Sequence, residues 1–229
     1  MSQKLTILFD LDGTLVNTAP DLMHAHNHVM KKYGYDERDL SDIKKLAGRG
    51  SKVMLTRSMH ELAEMSGKIK KTDDVIEEMT KEFIDYYSKN IAEDSTLKNG
   101  TTNFLSWCKK KSIKMAVCTN KQEHLSIDLL KKIKIYDYFD YVAGGNTFNH
   151  NKPNPKHLTD TIEIIGGNTK KTLMIGDSET DSNASKAANI PFILIDDGYT
   201  EKKSNEIYHD HLVKDFVGLE KIVEKYIYD

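Results

Sequence analysis

The apolar run Ile7-Leu8-Phe9 breaks into two aspartates, Asp10 and Asp12, one residue apart and followed by Gly13-Thr14. Side chains along an extended strand repeat every second residue, so both carboxylates face the same way at the end of the strand. Like charges held together are costly, and a cation is expected between or beside them. Three further polar clusters follow apolar runs in the same manner. Thr119-Asn120 comes after Ile113 to Cys118, Lys152-Pro153 stands in the loop beyond Val142, and Gly176-Asp177-Ser178-x-x-Asp181 closes the run from Thr172. Ligands of open α/β sheets bind at the carboxyl ends of the strands, where all four clusters fall.

The chemistry of these clusters is complementary. Asp10, Asp12 and Asp177 offer hard oxygen ligands, which suit Mg²⁺ with retained waters better than zinc or copper. Thr119 and Asn120 bring a hydroxyl, an amide and main-chain N–H groups near a helix start, as an anionic oxygen requires. Lys152 adds a positive charge. Together they describe a site for a phosphoryl group held by a metal and a lysine, with one carboxylate free to attack it.

Positioning such groups requires a sheet. From Asn99-Gly100 onward the pattern alternates: helix near 102–111, strand 113–118, helix near 123–133, strand 139–142, helix near 155–165, strand 172–175, helix near 181–188 and strand 191–195. Near-continuous apolar strands separated by helices imply an α/β fold with a doubly wound parallel sheet covered on both faces. The segment between is different. Ala19-Pro20-Asp21 reads as a helix start, with Pro20 in the first turn and Asp21 favourable there, and Gly34 as its stop. Helical patterns near 40–46, 52–65 and 75–89 follow, separated by Gly48-Arg49-Gly50 and Ser66-Gly67. The first strand finds no partner among them and must join the later sheet. The expected organisation is therefore a catalytic α/β core of residues 1–16 and 96–229, interrupted by an all-helical insertion over 17–95.

Composition narrows the partners. Lysine plus arginine number 33 against 35 acids, a net charge of −2 that gives no electrostatic case for nucleic acid or a membrane surface. The lysine runs 109–111 and 68–71 read as solvated helix ends. No run of about 18 apolar residues offers a membrane span, and Met-Ser-Gln-Lys-Leu-Thr enters a strand pattern without a signal-peptide core. Cys108 and Cys118 form no CxxC pair, a usage consistent with buried thiols in a cytoplasmic protein. Gly144-Gly145 and Gly166-Gly167 lack the context of nucleotide fingerprints. His24 and His28 share a helix face but have no third ligand for zinc, so a solvated or inward-facing helix surface is expected of His24, His26 and His28.

The series Asp10-Leu-Asp-Gly-Thr14, Thr119-Asn120, Lys152-Pro and Gly176-Asp-Ser-x-x-Asp181 resembles the haloacid dehalogenase superfamily, whose members are mostly phosphatases. The likeness spans nearly the whole chain and includes the branch with a helical cap inserted after the first motif. Asn17-Thr-Ala-Pro-Asp-Leu22, Gly48-Arg-Gly50, Tyr138-Phe-Asp140 and Gly144-Gly145 resemble most its phosphoglycolate phosphatases. The resemblance implies that Asp10 is the nucleophile and that Asp12 protonates the leaving oxygen and then activates water. It implies that Thr119, Asn120 and Lys152 bind the transferring group, and that Asp10, Asp177 and the Asp12 main-chain carbonyl hold Mg²⁺. Asp181 would orient Lys152 or a metal-bound water, and Thr14 would support the turn. The implied substrate is a small phosphorylated metabolite, with 2-phosphoglycolate foremost. Another small phosphate or pyrophosphate, a phosphosugar mutase, or a non-catalytic binding module are the alternatives. A monomer and a homodimer fit equally.

Two positions depart from the family pattern. Asn17 stands where relatives commonly carry aspartate, and Leu97-Lys98-Asn99-Gly100 replaces their Pro-Gly return to the core. Arg49, flanked by glycines in the helical segment, is the candidate for gripping a substrate carboxylate with its bidentate fork.

Overall fold

The computed structural model describes residues 4–66 and 73–228. Gly67, the lysines between 68 and 71 and the first three residues lie outside the described residues. The chain opens with β1 (Thr6–Phe9) and β2 (Val16–Asn17), then runs through α1 (Ala19–Lys32), α2 (Leu40–Leu46), α3 (Ser51–Ser66) and α4 (Asp73–Lys89). It returns by β3 (Thr96–Leu97) to α5 (Thr101–Lys110), β4 (Lys114–Cys118), α6 (Glu123–Lys132), β5 (Tyr141–Ala143) and α7 (Lys156–Ile164). The remainder is β6 (Thr172–Gly176), α8 (Glu179–Ala187), β7 (Phe192–Ile195), β8 (His211–Val213) and α9 (Glu220–Tyr228).

Six strands form one sheet in the order β5-β4-β1-β6-β7-β8, every neighbouring pair parallel. Alternation within the strands sorts their side chains to two faces. Ile7, Phe9, Met115, Val117, Leu173, Ile175, Ile193 and Ile195 pack with Leu105 of α5, Leu129 of α6 and Val223 of α9. Leu8, Ala116, Cys118, Met174, Phe192 and Leu194 pack with Leu158 of α7 and Ala184 of α8. Both faces are covered, which is why the strands read as continuous apolar runs. Cys108 and Cys118 are buried and unpaired.

The chain leaves the sheet and comes back through one narrow ribbon, in which Val16 pairs with Leu97 and Asn17 with Thr96, antiparallel. Asn17, read from the sequence as the first residue of the helical insertion, lies in this ribbon. β8 and α9 were not expected from the sequence, and β5 begins only at Tyr141, after a 3-10 turn over Tyr136–Tyr138. Helix α1 carries Asp21 in its first turn and Lys31 and Lys32 in its last, complementing the helix dipole. Its His26 is fully buried rather than solvated, with Nε2 2.8 Å from Ser58 Oγ on α3 and Nδ1 2.9 Å from Asn27 Oδ1. His24 and His28 instead lie outward, 3.5 Å from Asp94 and 3.3 Å from Glu82. No helix among the described residues is long and apolar enough to cross a membrane.

Candidate active site

Strand register sets the positions of the polar clusters. Phe9 is level with Val117 of β4 and Ile175 of β6, so Asp10, Thr119 and Asp177 follow the last rungs of three adjacent strands. The ladder runs one bond further on each side, with Asp10 N–H donating to Ile175 O at 2.9 Å and Thr119 N–H to Ala143 O at 2.9 Å. These bonds fix the main chain beneath each side chain. Gly13 then turns the chain with φ +83°, and a Cβ there would lie 2.3 Å from Asp177 Oδ2. Only glycine combines that backbone with so close an approach.

Asp10, Lys152, Asp177 and Asp181 form one buried charge cluster. Lys152 Nζ lies 2.6 Å from Asp181 Oδ1 and 2.9 Å from Asp10 Oδ1. The Asp10 contact is an ion pair without hydrogen-bond geometry, which leaves that buried oxygen without a hydrogen bond among the described residues. Asp181 has its other oxygen, Oδ2, engaged by the N–H groups of Asp177 and Ser178 and by the Ser178 hydroxyl, tying it to the start of α8. Asp177 accepts from the Thr14 hydroxyl at 2.5 Å and from Tyr199 N–H at 2.6 Å.

The charges in this cluster do not balance. Three carboxylates face one ammonium, and burial pushes the Asp10 carboxyl up to about 6 against the pull of Lys152. Burial also drives Asp177 well above the carboxylate range, and the neighbouring Asp10 and Asp181 add to it. Burial works against the Lys152 ammonium too, but Asp10 and Asp181 outweigh it and raise its pKa. One oxygen each from Asp10, Asp177 and Asp181 lie within 4.8 Å of one another. A buried, anionic, all-oxygen donor set with an orphaned carboxylate oxygen fits a hard divalent cation.

Asp12 belongs to a second, separate pair. Its two oxygens lie 3.0 and 3.1 Å from Lys121 Nζ, and Oδ1 also accepts from the Thr18 hydroxyl at 2.6 Å. Burial disfavours the Lys121 ammonium, but Asp12 outweighs that and raises its pKa. The ammonium also lies 4.3 Å from the ring centroid of Tyr87, on α4. Neither Lys121 nor Tyr87 was singled out from the sequence. Lys121 directly follows the Thr119-Asn120 pair, and that adjacency was the available signal.

A small cavity of about 60 Å³ joins these parts, lined by Asp10, Asp12, Thr119, Asn120 and Lys121 on the core side and by Leu22, Met54, Phe83 and Tyr87 on the helical side. Thr119 Oγ1 accepts from Lys121 N–H at 3.2 Å, and its own proton is not committed to a described partner. The Asn120 amide donates to Lys152 O at 3.0 Å and to Gly48 O at 3.3 Å, joining the sheet end to the helical segment. Arg49 is not in this cavity. Its guanidinium bonds Glu179 Oε1 at 2.9 Å and borders a neighbouring groove, although the flanking Gly48 and Gly50 do line the cavity. Asn17 likewise turns away, accepting from the Tyr199 hydroxyl at 2.9 Å. Tyr199 is a further residue the sequence did not reveal, since it links Asp177 to the root of the helical segment through Asn17 and Ala19 N–H.

Residues 7–195 match the haloacid dehalogenase-like hydrolase family, and the chain belongs to it. It is an enzyme of that class, with an α/β core of the same kind. It is 35% identical to a phosphoglycolate phosphatase of Mesorhizobium japonicum, over 93% of this chain and 92% of the relative. It is 34% identical to a phosphoglycolate phosphatase of Agrobacterium fabrum, over 95% of this chain and 94% of that one. A crystal structure described as a predicted phosphoglycolate phosphatase from Haemophilus somnus 129PT superimposes with a TM-score of 0.91 at 27% identity, covering 97% of this chain and 99% of the other.

Proposed function

We propose that the protein is a Mg²⁺-dependent phosphatase of small phosphomonoesters, with 2-phosphoglycolate as substrate and an aspartyl-phosphate on Asp10 as intermediate. The observation that carries this reading is the Asp10 carboxylate, buried beside Lys152 at the wall of a cavity that also exposes Asp12 and Thr119. The curated relatives named as phosphoglycolate phosphatases support the choice of substrate. The small cavity, about 60 Å³, supports a small substrate over a hexose.

The residues act as follows. An Asp10 oxygen attacks phosphorus, the bond to the ester oxygen breaks, and Asp12 gives that oxygen a proton. Asp12 then takes a proton from water, which attacks the same phosphorus and releases phosphate and the free Asp10 carboxylate. Thr18 and Lys121 hold Asp12 and so fix where its proton is exchanged. Lys152 and the Thr119 hydroxyl meet the phosphoryl oxygens, and Asp181 keeps Lys152 aimed. Mg²⁺ held by Asp10, Asp177 and the Asp12 main-chain carbonyl would supply positive charge against the transferring group. The helical segment serves as a cap, excluding water while the first step proceeds. Two unpaired thiols accord with a cytoplasmic setting.

A panel of phosphoglycolate, pyrophosphate and hexose phosphates, assayed with Mg²⁺ for free phosphate, tests the reading. Phosphoglycolate is expected to be turned over best, and Asp10→Asn to lose about 10⁴-fold or more and to accumulate no phosphoenzyme. Preference for pyrophosphate, or conversion of a sugar phosphate without phosphate release, would overturn it.

A further inference from the structure

Arg49, the cation first expected to meet a substrate carboxylate, is paired with Glu179 outside the cavity. Among the described residues lining the cavity, Lys121 is the only cation. Two of the three donors of its ammonium are committed to Asp12, and the ammonium sits against the Tyr87 side chain, so its charge and the Tyr87 hydroxyl proton are presented together. Beside it stands Tyr87, 1% exposed, whose hydroxyl is buried and has no hydrogen-bond partner among the described residues. Buried hydroxyls are rarely left unpaired, so one that borders a ligand cavity calls for a ligand atom. The rest of the wall that the helical segment contributes is mostly apolar, with Leu22, Ala47, Met54 and Phe83, and offers no second charged group. Burial pushes the Tyr87 pKa up to about 12, against the pull of Lys121, so the hydroxyl keeps its proton and donates.

We infer that Tyr87 Oη and Lys121 Nζ together form the receptor for a carboxylate on the leaving group of the phosphoester, opposite the end of the cavity where Asp10 and Thr119 meet the phosphoryl group. This rests on the phosphatase reading and names the residues that select within it. The ligand class is a phosphomonoester bearing a carboxylate a short carbon chain from the ester oxygen. The Tyr87 ring lies 4.3 Å from the Lys121 ammonium, so α4 and the core each contribute one half of the receptor.

Phosphoglycolate and ethyl phosphate differ in the carboxylate and little in size, so the ratio of their kcat/KM values reads carboxylate recognition apart from catalysis. Tyr87→Phe keeps the ring over Lys121 and removes only the hydroxyl. It is expected to lower that ratio about tenfold, with ethyl phosphate turnover changed by no more than about twofold. Lys121→Met disturbs Asp12 and slows both esters, but must lower the ratio as well. Arg49→Ala must leave the ratio where it was. An unchanged ratio in Tyr87→Phe, or its collapse in Arg49→Ala, overturns the proposal. Calorimetric binding of the two esters to Asp10→Asn, with Mg²⁺ and with or without Tyr87→Phe, keeps the test independent of turnover. Loss of affinity for phosphoglycolate alone supports the receptor, and equal affinities or no binding overturn it. Absence of turnover of either ester by the unmodified enzyme, with that affinity difference intact, would instead defeat the phosphatase reading.

Discussion

The core and the helical segment handle charge in opposite ways. In the core, Lys152 and Asp181 are each 1% exposed at their side chains and their oxygen and nitrogen atoms are 2.6 Å apart. Across the seam, Arg49–Glu179, Lys44–Asp197 and Arg57–Glu201 reach 46%, 84% and 52% exposure on their more open partners. All three seam pairs put the cation on the helical segment and the anion on the core. Breaking a buried pair leaves a charge that nothing solvates, whereas an exposed pair exchanges its partner for water at little cost. Under the proposed function the two regions would divide the work, with the chemistry resting on buried, tightly paired charges and the seam on exposed contacts weak enough to reopen.

The largest effect should follow from breaking the buried half of that contrast. Lys152→Met strands Asp10, Asp177 and Asp181 without an ammonium, and is expected to cost about 3–5 kcal/mol of stability. It should also cost about 10²–10³ in kcat through loss of phosphoryl contacts. Chemical denaturation at several pH values checks the cause. The stability deficit should shrink on acidification as the crowded carboxylates become neutral. A deficit independent of pH would mean lost packing rather than stranded charge.

A middle-sized effect tests whether the helical segment has any buried electrostatics of its own. Burial lowers the His26 pKa from its ordinary 6.5 to about 4, so the folded state holds it neutral between Asn27 and Ser58. A histidine depressed on folding contributes stability above pH 6.5 that is lost as pH falls toward 4, up to about 3 kcal/mol. Read as the difference between wild type and His26→Gln, the loss of Tm between those two values should be steeper in the wild type. Parallel curves would show that His26 titrates no differently once folded.

Much of the core could be read from the sequence, and much of the seam could not. The strand ends carry their own signals, because runs such as Ile7 to Phe9 are apolar throughout and stop at polar residues. Contacts across the seam have no such signature. Arg49 and Glu179 are 130 residues apart, so nothing local to either shows that they meet, and the same holds within the core for Lys121 and Asp12, 109 residues apart. The glycines around Arg49 drew attention to the right loop, and Gly48 and Gly50 do border the cavity, but backbone freedom says nothing about where a long side chain ends. Tyr87 was hidden differently, as one of two consecutive tyrosines on a helix whose burial only the packed structure decides. β8 was missed because three half-exposed residues carry neither a period nor an apolar run. Which of the three histidines faces inward was left open, because the partners of His26, Asn27 and Ser58, do not register in hydropathy.

The smallest effect belongs to the seam, and its sign is more informative than its size. An exposed ion pair is worth about 0–1 kcal/mol and is screened by salt. If Arg49 and Glu179 serve only to hold the helical segment over the core, Arg49→Ala and Glu179→Gln must act in the same direction. Each should raise KM for phosphoglycolate about two- to threefold, and the double variant should be no worse than either alone. Salt should raise the wild-type KM by a similar factor and the double variant's by less. If Arg49 were instead borrowed by the substrate during turnover, removing Glu179 would free it, and Glu179→Gln would lower KM while Arg49→Ala raised it. Opposite signs would move the guanidinium from the seam to the site, and the division of labour between fixed core and reversible seam would then need a residue that belongs to both.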